Sequence, residues 1–248
     1  MHRKFALFGL MMVLLPLKVE AQDLQSLNPD EIFGQLRSRN ITTLSSEIAA
    51  KTDSIPFRDG ESFLKGDVLV SFDCGLYQAR ENKAQAILNG ALKKHAAEKR
   101  LAKLGSGGQL DVDLAAAKVA EARADLQIAK QQTSKCVLIA PYDGRVVQQR
   151  AGEHQFMQTG AAVIDIVEEG VLEIEFLVPS KRVVGLTKGS AFRFHVMETD
   201  KTYPAVILRR GALVDPISRT ISMIGTLTGK APDLIAGMSG QVLLEVDK

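Results

Sequence analysis

The sequence predicts a mainly β protein with a long α-helical hairpin inserted into one of its β units. Three observations carry that reading. Strand-like alternation occupies Ile41–Asp73 and resumes from Cys136 to the C-terminus. Between these stretches lie two Pro-free, Ala-rich helical runs, 76–104 and 110–134, separated by "GSGGQLD". The β text before the runs and the β text after them look like two halves of one unit.

The chain has 248 residues, enough for one large or two small domains, and 46% of them are apolar. Trp is absent and aromatics make up only 5%, so aromatic clusters are not expected to hold it together. Met1-His2-Arg3-Lys4 is basic, Phe5–Leu17 is apolar, and Val19-Glu20-Ala21 ends in a small residue. That order reads as a secretory signal peptide over 1–21. The apolar run falls short of the roughly 20 residues a membrane span needs, although a retained anchor is the alternative. Without 1–21 the basic count is 31 − 3 = 28 and the acidic count 29 − 1 = 28. The resulting zero net charge lacks the basic excess of nucleic-acid binders, so no nucleic acid is expected as a partner.

Residues 22–40 are polar with little pattern and read as a lead-in segment. In "DVLVSFD", Val68, Val70 and Phe72 are expected on one face and Leu69 on the other. In the second helical run Ala115, Val119, Ala122, Leu126, Ala129 and Thr133 recur at spacings of 4, 3, 4, 3 and 4, a heptad seam. The first run has a shorter seam, Ala84, Ile87 or Leu88, and Ala91, which Lys94, His95 and Glu98 interrupt. Three glycines in "GSGG" stop the first helix, and Asp111 can cap the second. Further on, "CVLIAPYDGRVVQQRAGEH" reads as strand, Asp-Gly turn, strand and turn. "PSKRVVGLTKG" reads as one short helix, with strands at "SAFRFHV", "TYPAVILRRGALV", "RTISMIGTL" and "SGQVLLEV". Short strands at such spacing argue a small barrel or sandwich.

The two halves are visible as a degenerate repeat. Arg58–Glu61 reads R-D-G-E and Arg150–Glu153 reads R-A-G-E. Each is followed by a second glycine, Gly66 or Gly160, and an alternating strand, with the glycine spacing differing by two. Two such halves close on each other only if the insertion returns to its starting point, which an antiparallel hairpin does. The same geometry brings Cys74 near Cys136. In an exported chain the pair reads as a disulfide, with two free buried thiols as the alternative.

The four histidines, His2, His95, His154 and His195, have no second ligand at helical or strand spacing, so no metal is expected. No nucleophile elbow, phosphate loop or dinucleotide fingerprint occurs, and no cofactor or catalytic residue is assigned.

The segments "GESFLKGDVLVSFD", "APYDGRVV", "GEHQFMQTGAAVIDIVE", "VDPISRTISM" and "LIAGMSGQV" together resemble the periplasmic adaptor subunits, or membrane fusion proteins, of Gram-negative efflux and secretion systems. The resemblance spans about residues 41–248. It implies a lipoyl-like barrel-sandwich hybrid split over 41–74 and 136–169, a coiled-coil hairpin over 75–135 and a β-barrel over 170–248. It further implies a periplasmic, non-enzymatic protein that assembles as a homo-oligomeric ring between an inner-membrane transporter and an outer-membrane channel. The family's hairpin tip carries an Arg, a Leu four residues on and a Ser eleven on. Arg100 and Leu104 match, with Leu101 alongside, while Asp111 stands where the Ser is expected. A structural coiled-coil envelope protein without a transporter and a lipoyl- or biotin-type carrier domain are the competing readings.

Overall fold

The computed structural model of the protein describes residues 31–229 and 231–244. The expected signal peptide, His2 and residues 22–30 of the expected lead-in lie outside the described residues. Two four-stranded sheets form one body. The first orders β2 (Ile41–Ser45), β9 (Ala162–Glu168), β7 (Gly144–Gln149) and β4 (Ser62–Phe63). The second orders β6 (Val137–Ile139), β5 (Val68–Phe72), β3 (Ala50–Ser54) and β8 (Phe156–Met157). Their shared core includes Phe63, Leu69, Val70, Phe72, Val163 and Ile164.

The two sheets are related by a constant sequence offset. Phe63 pairs with Gly144, and Met157 pairs with Ala50; both partners differ by 157 − 63 = 144 − 50 = 94 positions. The same offset maps Val68↔Ile139 onto Ala162↔Ser45 and Thr52↔Phe72 onto Val146↔Ile166. Even the irregularities repeat: a register shift separates Val68 from Val70, and its counterpart lies opposite Ala162 and Ile164. At each bulge two successive side chains turn inward, so Leu69 and Val70 are both buried, as are Val163 and Ile164. The expected strict alternation in "DVLVSFD" fails for this reason, and Val68 is exposed.

The offset also resolves the uneven glycine spacing. Gly60 has φ 84°, and the residue 94 positions later is His154, with φ 63°. The Gly60 amide donates to the Val146 carbonyl and the His154 amide to the Thr52 carbonyl, both at 2.9 Å. Gly152 is therefore not the counterpart of Gly60. A histidine occupies a left-handed position that glycine usually fills, which displaced the sequence alignment by two residues. The Asp143-Gly144 pair is not a hairpin turn either. Gly144 begins β7, in the other sheet from β6, where a Cβ would meet the Val167 carbonyl and the Phe63 ring.

A closed six-stranded barrel follows, in the order β1 (Ile32–Ser38), β10 (Leu172–Pro179), β13 (Thr220–Leu227), β12 (Lys201–Val214), β11 (Ala191–Val196) and β14 (Ser239–Leu244). Its core is built on Leu36, Phe176, Phe192, Phe194, Ile207 and Met223. The lead-in expectation fails here, because residues 32–38 close the barrel. Of its large apolar residues only Ile32 and Leu36 are buried, and Phe33 faces outward. Between them Gly34 lies so near Phe176 that a Cβ would come within 3.1 Å. The short helix expected in "PSKRVVGLTKG" is a single 3-10 turn, Ser180–Arg182. Gly185 and Gly189, at φ 93° and 92°, turn the chain back before a helix can propagate.

Helices α1 (Gly75–Lys103) and α2 (Gln109–Ser134) leave the sheets together. Five expected seam residues of α2 are buried, Ala115, Val119, Ala122, Leu126 and Ala129. Val119, Ala122 and Leu126 cluster with Leu88, not Ile87, with Ala84 and Ala91 packed against them. His95 and Glu98 do not end the α1 seam: both are half-buried at its next heptad positions, so the pairing continues with polar groups.

In the two-sheet body Asp165 accepts from Thr43 Oγ1 at 2.8 Å and from Arg150 Nε and Nη2 at 2.7 and 2.6 Å. The Arg150 hydrogen bond holds its carboxyl below the usual carboxylate range. This contribution to stability is present above the unfolded value of about 3.9 and is lost as pH falls through the depressed folded value. Asp165→Asn is expected to flatten the acid limb of a pH–stability curve measured by urea unfolding. Gly60→Ala is expected to destabilise by about 1 kcal/mol. His154→Gly, at the equivalent position, is expected to be neutral or to stabilise by up to about 1 kcal/mol.

Candidate partner-binding ends

The base of the helical pair is anchored to the sheets. The Phe72 amide donates to the Cys136 carbonyl at 2.9 Å, and the Asp73 amide to the Lys51 carbonyl at 2.8 Å. Cys74 and Cys136 are brought together, with Sγ atoms adjoining and Cα atoms 5.9 Å apart, a separation that a disulfide spans. Tyr77 and Cys74 pack on the sheet core, and Lys135 pairs with Glu47 at 2.6 Å.

At the far end the chain reverses in five residues. The Ser106 amide donates to the Leu101 carbonyl and the Gly105 amide to the Ala102 carbonyl, at 3.0 and 3.1 Å. With Gly105 at φ 70°, this is a Schellman motif closing α1. Gly107 lies over the helix end, where a Cβ would come within 3.2 Å of the Ala102 amide and Leu101. The cap of α2 is Gly108, in extended backbone, so the expected capping role of Asp111 is not seen. Asp111 sits in the first turn instead, where the helix dipole favours a carboxylate, and Arg100 and Lys103 occupy the last turn of α1.

Arg100, Leu101, Leu104 and Asp111 thus come together around one exposed tip. Leu104 is 76% exposed and Leu110 70%, and Leu114 is open as well. Leu110 and Leu114 were not singled out in the sequence. Their signal was available: with Ala117, Glu121, Ala124 and Ile128 they form a second heptad stripe on α2, opposite the buried one. Near the base, that stripe borders a groove of about 520 Å³ whose walls include Glu47, Ile48, Ala124, Gln127 and Ile128.

The barrel carries a second exposed apolar end. Strand β10 starts at Leu172, paired with Ser38 where the chain passes into the sheets, and runs away to Pro179. Register places the β12–β13 connection and the segment that follows Pro179 at that distal pole, because Pro179 pairs with Thr220 and the Ser180 amide donates to the Arg219 carbonyl at 2.9 Å. The helices leave the sheets on the other side, beside Glu47 and Lys51. At the distal pole Val184 is 91% exposed, Leu213 85% and Ile217 92%. The turn is rigid: Asp215 Oδ1 accepts from the Ile217 and Ser218 amides at 2.9 and 2.8 Å and from Ser218 Oγ at 3.1 Å. These bonds, the Ser218 amide first, hold the Asp215 carboxyl below its usual range.

Among the described residues no group of three or more His, Cys, Asp or Glu is placed to hold a metal, and no helix is long and apolar enough to cross a membrane. His195 lies on β11 beside Thr202 Oγ1 at 3.1 Å and Asp200 at 3.4 Å, far along the chain from His95 and His154.

No family model matches the chain. The multidrug resistance protein MdtA of Yersinia enterocolitica is 24% identical over 167 residues, which cover 61% of this chain and 38% of that protein. The chain spans well under half the length of the curated relatives it matches. Among solved structures, the membrane fusion protein Spr0693 of Streptococcus pneumoniae has a TM-score of 0.75 at 18% identity, covering 88% of this chain and 99% of that one. A MacA–MexA chimera containing the Pseudomonas aeruginosa MexA alpha-hairpin domain has a TM-score of 0.77 at 18% identity, covering 88% and 84%. The fold is that of the membrane fusion, or periplasmic adaptor, proteins, and the chain resembles them in both sequence and structure.

Alkylation of the unfolded, unreduced protein is expected to label neither Cys74 nor Cys136; two labelled thiols would exclude a bridge. Serine at both positions is expected to destabilise by about 4 kcal/mol, the loop-entropy value for a separation of 62 residues.

Proposed function

We propose that the chain is a non-enzymatic periplasmic adaptor in a tripartite efflux or secretion system. In this reading the two-sheet body is a lipoyl-like hybrid, split over 41–74 and 136–169. Residues 75–135 are its coiled-coil hairpin, and a disulfide pins the hairpin base. The helical tip meets an outer-membrane channel, and the barrel side faces an inner-membrane transporter. The observation that carries the proposal is the pair of exposed aliphatic ends, Leu101, Leu104, Leu110 and Leu114 at one and Val184, Leu213 and Ile217 at the other. A bridging protein needs contact surfaces at two separated places. Solvent-exposed clusters of large aliphatic side chains are what such surfaces leave bare in an isolated chain.

The helical pair also favours assembly. Its connected core is four residues, Leu88, Val119, Ala122 and Leu126, with Ala115 and Ala129 the other buried positions, on arms of 29 and 26 residues, roughly 44 and 39 Å long. The second stripe of α2, with Leu114, Ala117, Ala124 and Ile128, gives a neighbouring copy a low-charge face to pack on, as a homo-oligomeric ring requires. The multidrug resistance and membrane fusion names of the relatives support the same reading.

Arg100→Asp and Leu104→Asp are expected to lower channel capture in a crosslinking pull-down at least about tenfold, equivalent to about 1.4 kcal/mol, with protein level and transporter capture unchanged. Export should fall in parallel. Unaltered capture at normal protein level would remove the tip from the contact.

A further inference from the structure

We propose that Cys74 is the entry thiol of the Cys74–Cys136 bridge: an external disulfide exchanges first with Cys74, and Cys136 then resolves the mixed disulfide. The inference rests on the disulfide in the preceding reading and on no part of the adaptor role. The two sulfur atoms adjoin, yet their settings are opposite. Cys74 is the N-cap of the 29-residue α1, whose first turn holds no acidic residue. Cys136 directly follows Lys135, the C-cap of α2, and the last turn of α2 holds no basic residue. The positive end of one helix dipole therefore lies at Cys74 and the negative end of the other at Cys136, and neither end turn carries a charge that offsets it. In the reduced chain a thiolate is favoured at the first position and disfavoured at the second.

Access follows the same division. Cys74 is half-buried and precedes the exposed Gly75, where a Cβ would meet only Asp73 Oδ1, at 3.5 Å. Cys136 is buried in the sheet core with Phe72 and Leu138, and apolar surroundings oppose its ionisation. The charged groups nearby do not reverse the contrast. Asp73 Oδ1 accepts from the Gly75 amide at 3.2 Å, Lys135 pairs with Glu47 at 2.6 Å, and Arg80 lies over the Tyr77 ring. Lys51 is exposed on the strand beside Asp73.

The exchange balances in two steps. The Cys74 thiolate attacks one sulfur of the donor, forming the mixed disulfide and releasing the donor's second sulfur as a thiolate. Cys136 then gives its proton to solvent and attacks Cys74 Sγ, forming the bridge and releasing the donor's first sulfur, so that two electrons pass to the donor. In reverse, an external thiolate meets Cys74 Sγ first and must expel the buried Cys136 thiolate, a poor leaving group at the negative helix end. The bridge is therefore quick to form and slow to reduce.

The reduced full-length chain is exposed to glutathione disulfide in native buffer and quenched with acid. Cys136→Ser is expected to accumulate glutathione on Cys74 at least about tenfold faster than Cys74→Ser accumulates it on Cys136. The two rates are expected to converge to within about twofold in urea, where helix ends and burial are gone. A second measurement needs no variant: the oxidised native protein, treated briefly with reduced glutathione and quenched with acid, is expected to carry the adduct on Cys74 with Cys136 free. In cells, the adduct on Cys136→Ser identifies the donor by its mass, as a small molecule or as a second chain. Equal native rates for the two folded variants, or an adduct on Cys136 of the native protein, would overturn the assignment and leave the bridge standing. Two thiols labelled in the untreated, unfolded protein would remove the bridge, and this inference with it.

Discussion

The rest of the structure depends on one constraint: two β segments more than sixty residues apart must pair as if continuous. Ser71 pairs with Val137, and the Phe72 amide reaches the Cys136 carbonyl. Whatever lies between Asp73 and Lys135 must therefore start and finish at one place. Two helices of nearly equal length, joined by a five-residue reversal, meet that demand with helical backbone, which satisfies its own hydrogen bonds wherever it goes. The hydrophobic cost of failure is concentrated in the sheets, because Leu69, Val70, Phe72 and Leu138 are buried on both sides of the insertion. The helices are thus positioned by a core to which their own seam contributes little.

The pairing symmetry explains what the sequence showed and what it hid. The helices, the α2 seam and most barrel strands were legible because their periods are regular and their apolar residues large. The half-unit repeat was legible in outline, through R-D-G-E and R-A-G-E, but its register was not. A polar residue in left-handed backbone at His154 removed the glycine that would have marked the equivalence. Strand β1 was hidden differently. Its inward positions include Gly34 and Ser38, because Phe176 already fills the space beside Gly34, and Phe33 faces outward, so the strand shows no clean apolar alternation. Leu69 defeated alternation because a bulge turns two neighbours the same way, an event with no residue signature in "DVLVSFD".

The candidate tip was partly legible. Arg100, Leu101, Leu104 and Asp111 do converge, since the Schellman closure at Gly105 and the close packing of Gly107 fold the connection tightly over α1. Leu110 and Leu114 escaped notice because they belong to a stripe that faces away from the pair, and a search for intramolecular seams passes over it. The barrel pole escaped for a similar reason. Its aliphatic residues sit in a turn and a loop, where periodicity carries no information, and only the pairing of Pro179 and Ser180 with Thr220 and Arg219 brings the start of the Val184 loop to the end that holds Leu213 and Ile217.

The charge distribution bears on how the helical end can work. Helix α1 carries seven Lys or Arg and two Glu, while α2 carries three basic and four acidic residues. Five of the α1 cations fall in its last eleven residues, Lys93 to Lys103, beside the exposed leucines. That placement complements the C-terminal end of the α1 dipole, and Asp111 complements the N-terminal end of α2, so the reversal is locally favourable. The seam beneath it is not comparably strong, since half-buried His95 and Glu98 stand where leucine would add packing. The tip thus combines a locally favourable reversal with a thinly packed shaft and an anchored base. In the proposed assembly, whatever packs along the outer stripe of α2 would set the direction in which the leucines are presented.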